Sequence, residues 1–171
     1  MSTKVLLAYA TRYGSTQEVA EAVAETLRES GLEVDLQPAR DVRSLEGYGA
    51  VVLGAALYMY RWHKDARRFL SRHRQTLMER PVALFALGPV HDPRDEEEWQ
   101  NSQAQLDKEL ANFPWLEPVA VELFGGEFDP DKFRGPTKWF AGAEPASDAR
   151  DWDAVHAWAS GVAAKLEGDL F

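Results

Sequence analysis

Residues 5–16 read Val5-Leu6-Leu7-Ala8-Tyr9-Ala10-Thr11-Arg12-Tyr13-Gly14-Ser15-Thr16, an apolar run that breaks into a loop of hydroxyls around a single glycine. Val19, Ala20, Val23, Ala24 and Leu27 follow at helical spacing, so the loop lies between a buried strand and an amphipathic helix. A helix start in that place carries N–H groups without intrahelical acceptors and the positive end of the helix dipole. Thr11, Ser15 and Thr16 add hydroxyl donors, and Gly14 lets the backbone approach a ligand with no Cβ in the way. The stretch predicts an anion site. The competing reading is structural: Ser15 and Glu18 have the spacing of a capping box, which would do no more than close the helix end.

Outward from this stretch, strands and helices alternate. Gly31 is placed to end the first helix. Residues 32–37 alternate Leu32, Val34 and Leu36 with Glu33, Asp35 and Gln37, which suits an edge strand with one wet face. Residues 50–56 and 82–87 are continuous apolar runs, the pattern of strands buried on both faces. Between them, residues 57–63 read as an aromatic loop, followed by a helix over 64–78 with Ala66, Phe69, Leu70, His73 and Leu77 on one face. The next strand runs into Gly88-Pro89-Val90-His91, which cannot easily extend it.

A helix over 95–112 carries glutamates in its first turn, and 119–124 form a fifth strand whose Glu122 marks it as the other edge. Residues 125–150 are irregular apart from a turn expected at Asp129-Pro130. Asp151 then caps a last helix with Trp152, Val155, Ala159, Val162 and Leu166 along its face; Trp99, Trp152 and Trp158 are expected in the core. The class is therefore α/β, one domain over 1–171, with a doubly wound five-stranded parallel sheet, helices on both faces and an irregular insertion at about 125–150. Ligands of such sheets lie beyond the carboxyl ends of the strands at the switch in strand order, where the loops after strands one, three and four converge.

Composition removes several functions. The chain has no cysteine, so disulfides, thiolate metal sites and cysteine nucleophiles are excluded. A net charge of −9 argues against nucleic acid as a partner. No apolar run is long enough for a transmembrane segment and no signal-peptide pattern opens the sequence, so the expected compartment is the cytosol. Neither G-x-G-x-x-G nor G-x-x-x-x-G-K-[ST] follows the first strand, and Gly54-Ala55-Ala56 stands where a phosphate-accepting receiver would carry an aspartate.

Residues 11–16 resemble the flavodoxin phosphate loop T-x-T-G-x-T, with Thr11, Gly14 and Thr16 on matching positions and Tyr13 in place of its second threonine. Within that superfamily the sequence is most similar to the menaquinone-dependent protoporphyrinogen dehydrogenase family. Ala10 through Thr16 nearly reproduce its S-T-R-x-G-x-T, Arg12 included. Gly54-Ala55-Ala56-Leu57, followed by Tyr60, Trp62, His63 and Phe69, resembles its G-A-S-I and the aromatic, histidine-bearing loop after it. The likeness covers about the first 90 residues well. It departs at the family's long basic segment, which here shrinks to residues 128–149 with Lys132, Phe133, Arg134, Lys138, Trp139 and Phe140.

The resemblance implies a flavodoxin-like strand order 2-1-3-4-5 and FMN as cofactor. Backbone groups of Arg12, Tyr13, Gly14, Ser15 and Thr16, with the Thr11, Ser15 and Thr16 hydroxyls, would hold the phosphate. Ala56, Leu57, Tyr58, Tyr60 and Trp62 would line one side of the ring, and Gly88, Pro89, Val90 and His91 the other. No catalytic residue is assigned. Two functions stay open: an FMN-dependent oxidoreductase passing electrons to a quinone-like acceptor, and a soluble electron carrier docking on a redox partner protein. His63 and His91 read first as surface or cap residues. Arg61, Lys64, Arg67, Arg68, Arg72 and Arg74 form either a solvated helix face or an attractor for an anionic small-molecule substrate.

Overall fold

The computed structural model describes residues 4–11, 14–58, 61–88, 94–128, 147–148 and 150–168, with the side chains of 58, 127, 128, 147, 148, 167 and 168 outside that set. Strands β1 (Lys4–Ala10), β2 (Glu33–Pro38), β3 (Ala50–Tyr58), β5 (Val82–Gly88) and β6 (Ala120–Gly125) form a parallel sheet in the order β2-β1-β3-β5-β6. Leu7 pairs with Leu36 on one side and Val52 on the other, and Leu53 with Leu84. Apart from the numbering of one short extra strand, this is the expected flavodoxin-like order.

The sheet is covered on both faces, and the period of two along each strand divides the core in two. Val5, Leu7, Val52 and Phe85 face helices α1 (Ser15–Glu29) and α5 (Trp152–Gly168). Leu6, Ala8, Leu53, Ala55 and Leu84 face α2 (Lys64–Arg72), α3 (Arg74–Leu77) and α4 (Glu96–Leu110). Burial on both faces is why the central strands read as unbroken apolar runs. Helix α1 ends as expected at Gly31 (φ 96°): Gly31 N–H bonds Arg28 O at 3.0 Å and Leu32 N–H bonds Leu27 O at 3.2 Å, which together close the last turn.

Three expectations are corrected. The 57–63 segment is not a loop: β3 continues to Tyr58 and the chain returns antiparallel as β4 (Arg61–Trp62), with Leu57 opposite Trp62. The cause is Trp62, which is 1% exposed and donates its indole N–H to Ala55 O at 2.8 Å, so burying the ring draws the chain back against the sheet. The helix over 64–78 breaks at His73 (φ −106°, ψ 18°), whose buried ring packs 4.8 Å from that of Phe69. Trp152, assigned to the core face of the last helix, is 37% exposed and lies beneath the Arg150 guanidinium, 5.0 Å from it. Of residues 125–150, β7 (Glu127–Phe128) and β8 (Ser147–Asp148) form a small antiparallel pair. The turn at Asp129-Pro130 lies outside the described residues.

Candidate functional site

The order β2-β1-β3 places the switch point between β1 and β3, with the carboxyl end of β1 leading straight into α1. Gly14 sits at the junction with φ 90° and ψ −13°, a left-handed conformation that glycine adopts at little cost. A Cβ built there would meet nothing within 4 Å among the described residues, so the position is constrained by its backbone angle. Gly14 N–H donates to Thr11 Oγ1 at 2.8 Å, which ties the loop across its base. The capping box does not form: Gly14, not Ser15, is the N-cap, and no side chain among the described residues caps the helix. The first intrahelical bond is Glu18 N–H to Gly14 O at 3.3 Å, so the N–H groups of Ser15, Thr16 and Gln17 precede any acceptor on the helix itself.

Thr16 carries the least expected feature of this turn. It is fully buried, and its hydroxyl has no hydrogen-bond partner among the described residues. A buried hydroxyl left unpaired costs about 1–3 kcal/mol, a cost that a ligand oxygen accepting its hydrogen bond would remove. The Thr16 hydroxyl, the αL glycine and the helix N–H groups without an intrahelical acceptor occupy one turn.

Glu18, the acidic residue of that turn, is engaged. Its carboxylate pairs with the Arg150 guanidinium, which comes from the residue before the α5 cap. Asp151 Oδ1 accepts from Ala154 N–H at 3.1 Å, capping α5 as expected. Arg150 had no local sequence signal. Its partner is 132 residues away, beyond any helix or strand periodicity.

Among the ring-side candidates, Ala56 and Leu57 lie in β3, with Leu57 buried against Trp62 and Ala56 partly exposed; Tyr58 contributes the end of the strand. Trp62 is core and does not line a slot. Gly88 ends β5 above Ser102, whose side chain a Cβ on Gly88 would approach to 3.0 Å. Ser102 is itself buried, its hydroxyl without a partner among the described residues, a feature the sequence did not single out. Arg12, Tyr13, Tyr60, Pro89, Val90 and His91 lie outside the described residues. His63 is the N-cap of α2 and accepts from Asp65 N–H at 3.0 Å, the cap role expected of it.

The basic residues of α2 flank an open cleft of about 920 Å³, lined by Arg61, Lys64, Arg67, Arg68, Ser71, Arg72, Asn112 and Phe113. Arg61 pairs with Glu109 at 3.3 Å, a carboxylate 6% exposed whose second oxygen has no partner among the described residues. Arg67 donates to Trp62 O at 3.1 Å, and Arg74 stacks on Trp115 outside the cleft. Lys64, Arg68 and Arg72 stand at four-residue intervals along the same ridge. No group of three or more metal-ligating side chains occurs among the described residues, and no helix there is long and apolar enough to cross a membrane.

An open parallel sheet covered on both faces, with a glycine-hinged loop entering a helix at the switch point, defines a flavodoxin-like protein. The chain belongs to the flavodoxin-domain family, whose model matches residues 6–138. It is 30% identical over 115 residues to the protoporphyrinogen IX dehydrogenase [quinone] of Escherichia coli (strain K12), covering 66% of this chain and 62% of that protein. It is also 30% identical over 91 residues to an NAD(P)H dehydrogenase (quinone) of Methylocella silvestris, covering 40% and 46% of the two chains. The match thus spans less than two thirds of these relatives. Among solved structures, a short-chain flavodoxin associated with a non-canonical PDU bacterial microcompartment superposes with a TM-score of 0.63 at 14% identity, over 98% of both chains.

Proposed function

We propose that this protein is an FMN-dependent oxidoreductase. The observation that carries the reading is the buried Thr16 hydroxyl in the first turn of α1, without a partner among the described residues, beside the αL glycine and the N–H groups that have no intrahelical acceptor at the switch point. The residues fit a phosphate ester: Ser15, Thr16 and Gln17 offer backbone donors, Thr16 a buried hydroxyl, and Gly14 an approach without a Cβ. Thr11 serves by fixing the loop through Gly14 N–H. The flavin, when bound, supplies the electron chemistry, and the protein's part is to anchor, orient and shield it. Both quinone-linked relatives support an oxidoreductase with a quinone-type acceptor.

The direct test titrates apoprotein with FMN and follows quenching of flavin fluorescence. Saturable binding at one FMN per chain supports the reading; no quenching overturns it.

Between an enzyme and a carrier, the quinone-linked relatives support the enzyme, and the α2 cleft is the candidate site for its donor. A carrier needs only an exposed flavin edge, whereas this chain of net charge −9 concentrates five cations around an open cleft. An anionic small molecule is the donor this cleft fits. Replacing Lys64, Arg68 and Arg72 together by Gln would raise KM for such a donor with a quinone acceptor and leave FMN affinity unchanged. Unaltered KM would return the protein to the carrier class.

A further inference from the structure

A carboxylate in the first turn of α1 would oppose the anion that turn is built to hold, yet Glu18 stands there. The structure answers this with Arg150. Its side chain is 6% exposed, pairs with the Glu18 carboxylate and stacks on Trp152. Arg150 also directly precedes Asp151, whose cap fixes the start of α5. Helices α1 and α5 are packed together through Val19, Val23, Val155, Ala159 and Val162, and are tied a second time by Thr26 Oγ1 and His156 Nδ1 at 2.7 Å. The guanidinium is thus held in place relative to the first turn of α1 by a rigid helix pair.

We propose that Arg150 is a positioning residue for the phosphate cradle: it neutralises Glu18 and holds its carboxylate aside, so the affinity for a phosphorylated flavin depends on the Arg150–Asp151 step that opens α5. The inference rests on the flavin reading above. It assigns Arg150 no contact with the ligand and no part in electron transfer. Its effect is electrostatic and therefore specific to a ligand with a phosphate.

The test compares FMN with riboflavin, which lacks the phosphate, binding to the full-length protein by fluorescence quenching. Arg150→Gln frees the Glu18 charge beside a dianion, so FMN should weaken about five- to ten-fold at low salt and riboflavin by less than about two-fold. In 1 M salt, where the screening length falls to about 3 Å, most of the FMN loss should vanish. Glu18→Gln, at a half-exposed position that tolerates the change, should bind FMN at least as tightly as wild type, and Glu18→Gln with Arg150→Gln should recover most of the single-variant loss.

Equal weakening of FMN and riboflavin, a loss that salt does not relieve, or a double variant no better than Arg150→Gln would overturn the proposal and give Arg150 a structural role. Weaker FMN binding in Glu18→Gln would overturn it independently of how Arg150→Gln folds. A wild type that binds neither flavin defeats the underlying reading instead, a result distinct from all of these.

Discussion

The Phe85 ring lies over Gly54 so closely that a Cβ on the glycine would stand 2.0 Å from the ring's Cζ. Gly54 is the middle of β3, and Phe85, fully buried, is its paired residue on β5. The ring continues into an aromatic cluster with Phe124 at 6.0 Å and Trp158 at 5.8 Å, which seats α5 on the sheet. Glycine in mid-strand, normally a weakness, is here the space into which that cluster packs.

Gly54→Ala should therefore destabilise the fold by about 1–3 kcal/mol or more through overpacking, lowering Tm in thermal denaturation. Pairing it with Phe85→Leu should recover part of the loss, because the smaller side chain vacates the volume that the new methyl needs. A Gly54→Ala variant as stable as wild type would mean the ring moves freely.

Tyr48 and Asp35 supply a pH dependence with a defined sign. The Tyr48 hydroxyl donates to Asp35 Oδ2 at 2.7 Å, which pushes the phenol up to about 12 and holds the carboxyl below its usual 3.8, with Lys4 at 3.4 Å assisting. The phenol's share of stability is complete below its ordinary value of 10 and is lost as pH rises from there through about 12. The carboxyl's share is present above 3.8 and is lost as pH falls below it. In a spectrophotometric titration, Tyr48→Phe should remove a tyrosinate step near 12 and leave the other steps in place.

His73 adds an acid limb. Burial lowers its pKa from 6.5, with the Arg72 charge adding to the effect and a backbone hydrogen bond to Val42 opposing it. The unfolded chain therefore takes up a proton that the folded protein resists, so this stability is complete above 6.5 and declines as pH falls toward the folded value. His73→Phe should flatten the fall in Tm between neutral and mildly acidic pH. An unchanged acid limb would place its origin in the carboxylates.

Gly14→Val separates loop from fold. The space around a Cβ is open, so the cost is confined to the left-handed backbone, about 1–3 kcal/mol, and the sheet should survive with a modest drop in Tm. Relief of that strain moves Gly14 out of the conformation that its bond to Thr11 closes, and FMN affinity should fall by at least ten-fold. Retained affinity would remove the phosphate from this loop.

The alternation of buried runs and amphipathic segments was legible because β1, β3 and β5 are covered on both faces, and such strands cannot be written in other residues. The β3–β4 hairpin was not, because a two-residue strand has no period; its cause is the burial of Trp62, a tertiary event. The hydroxyls and glycine of residues 11–16 marked the start of α1, and the competing capping-box reading of Ser15 and Glu18 does not hold, because Gly14 is the N-cap. Ser15 and Glu18 satisfy a local spacing rule that the left-handed turn at Gly14 and the distant Arg150 override.

The central claim, flavin held by the β1–α1 turn, is most directly tested by the visible spectrum of the purified protein before and after denaturation. Flavin bands in near one-to-one ratio with protein, the cofactor released as FMN, are the expected result. A colourless protein that takes up no added FMN would contradict it.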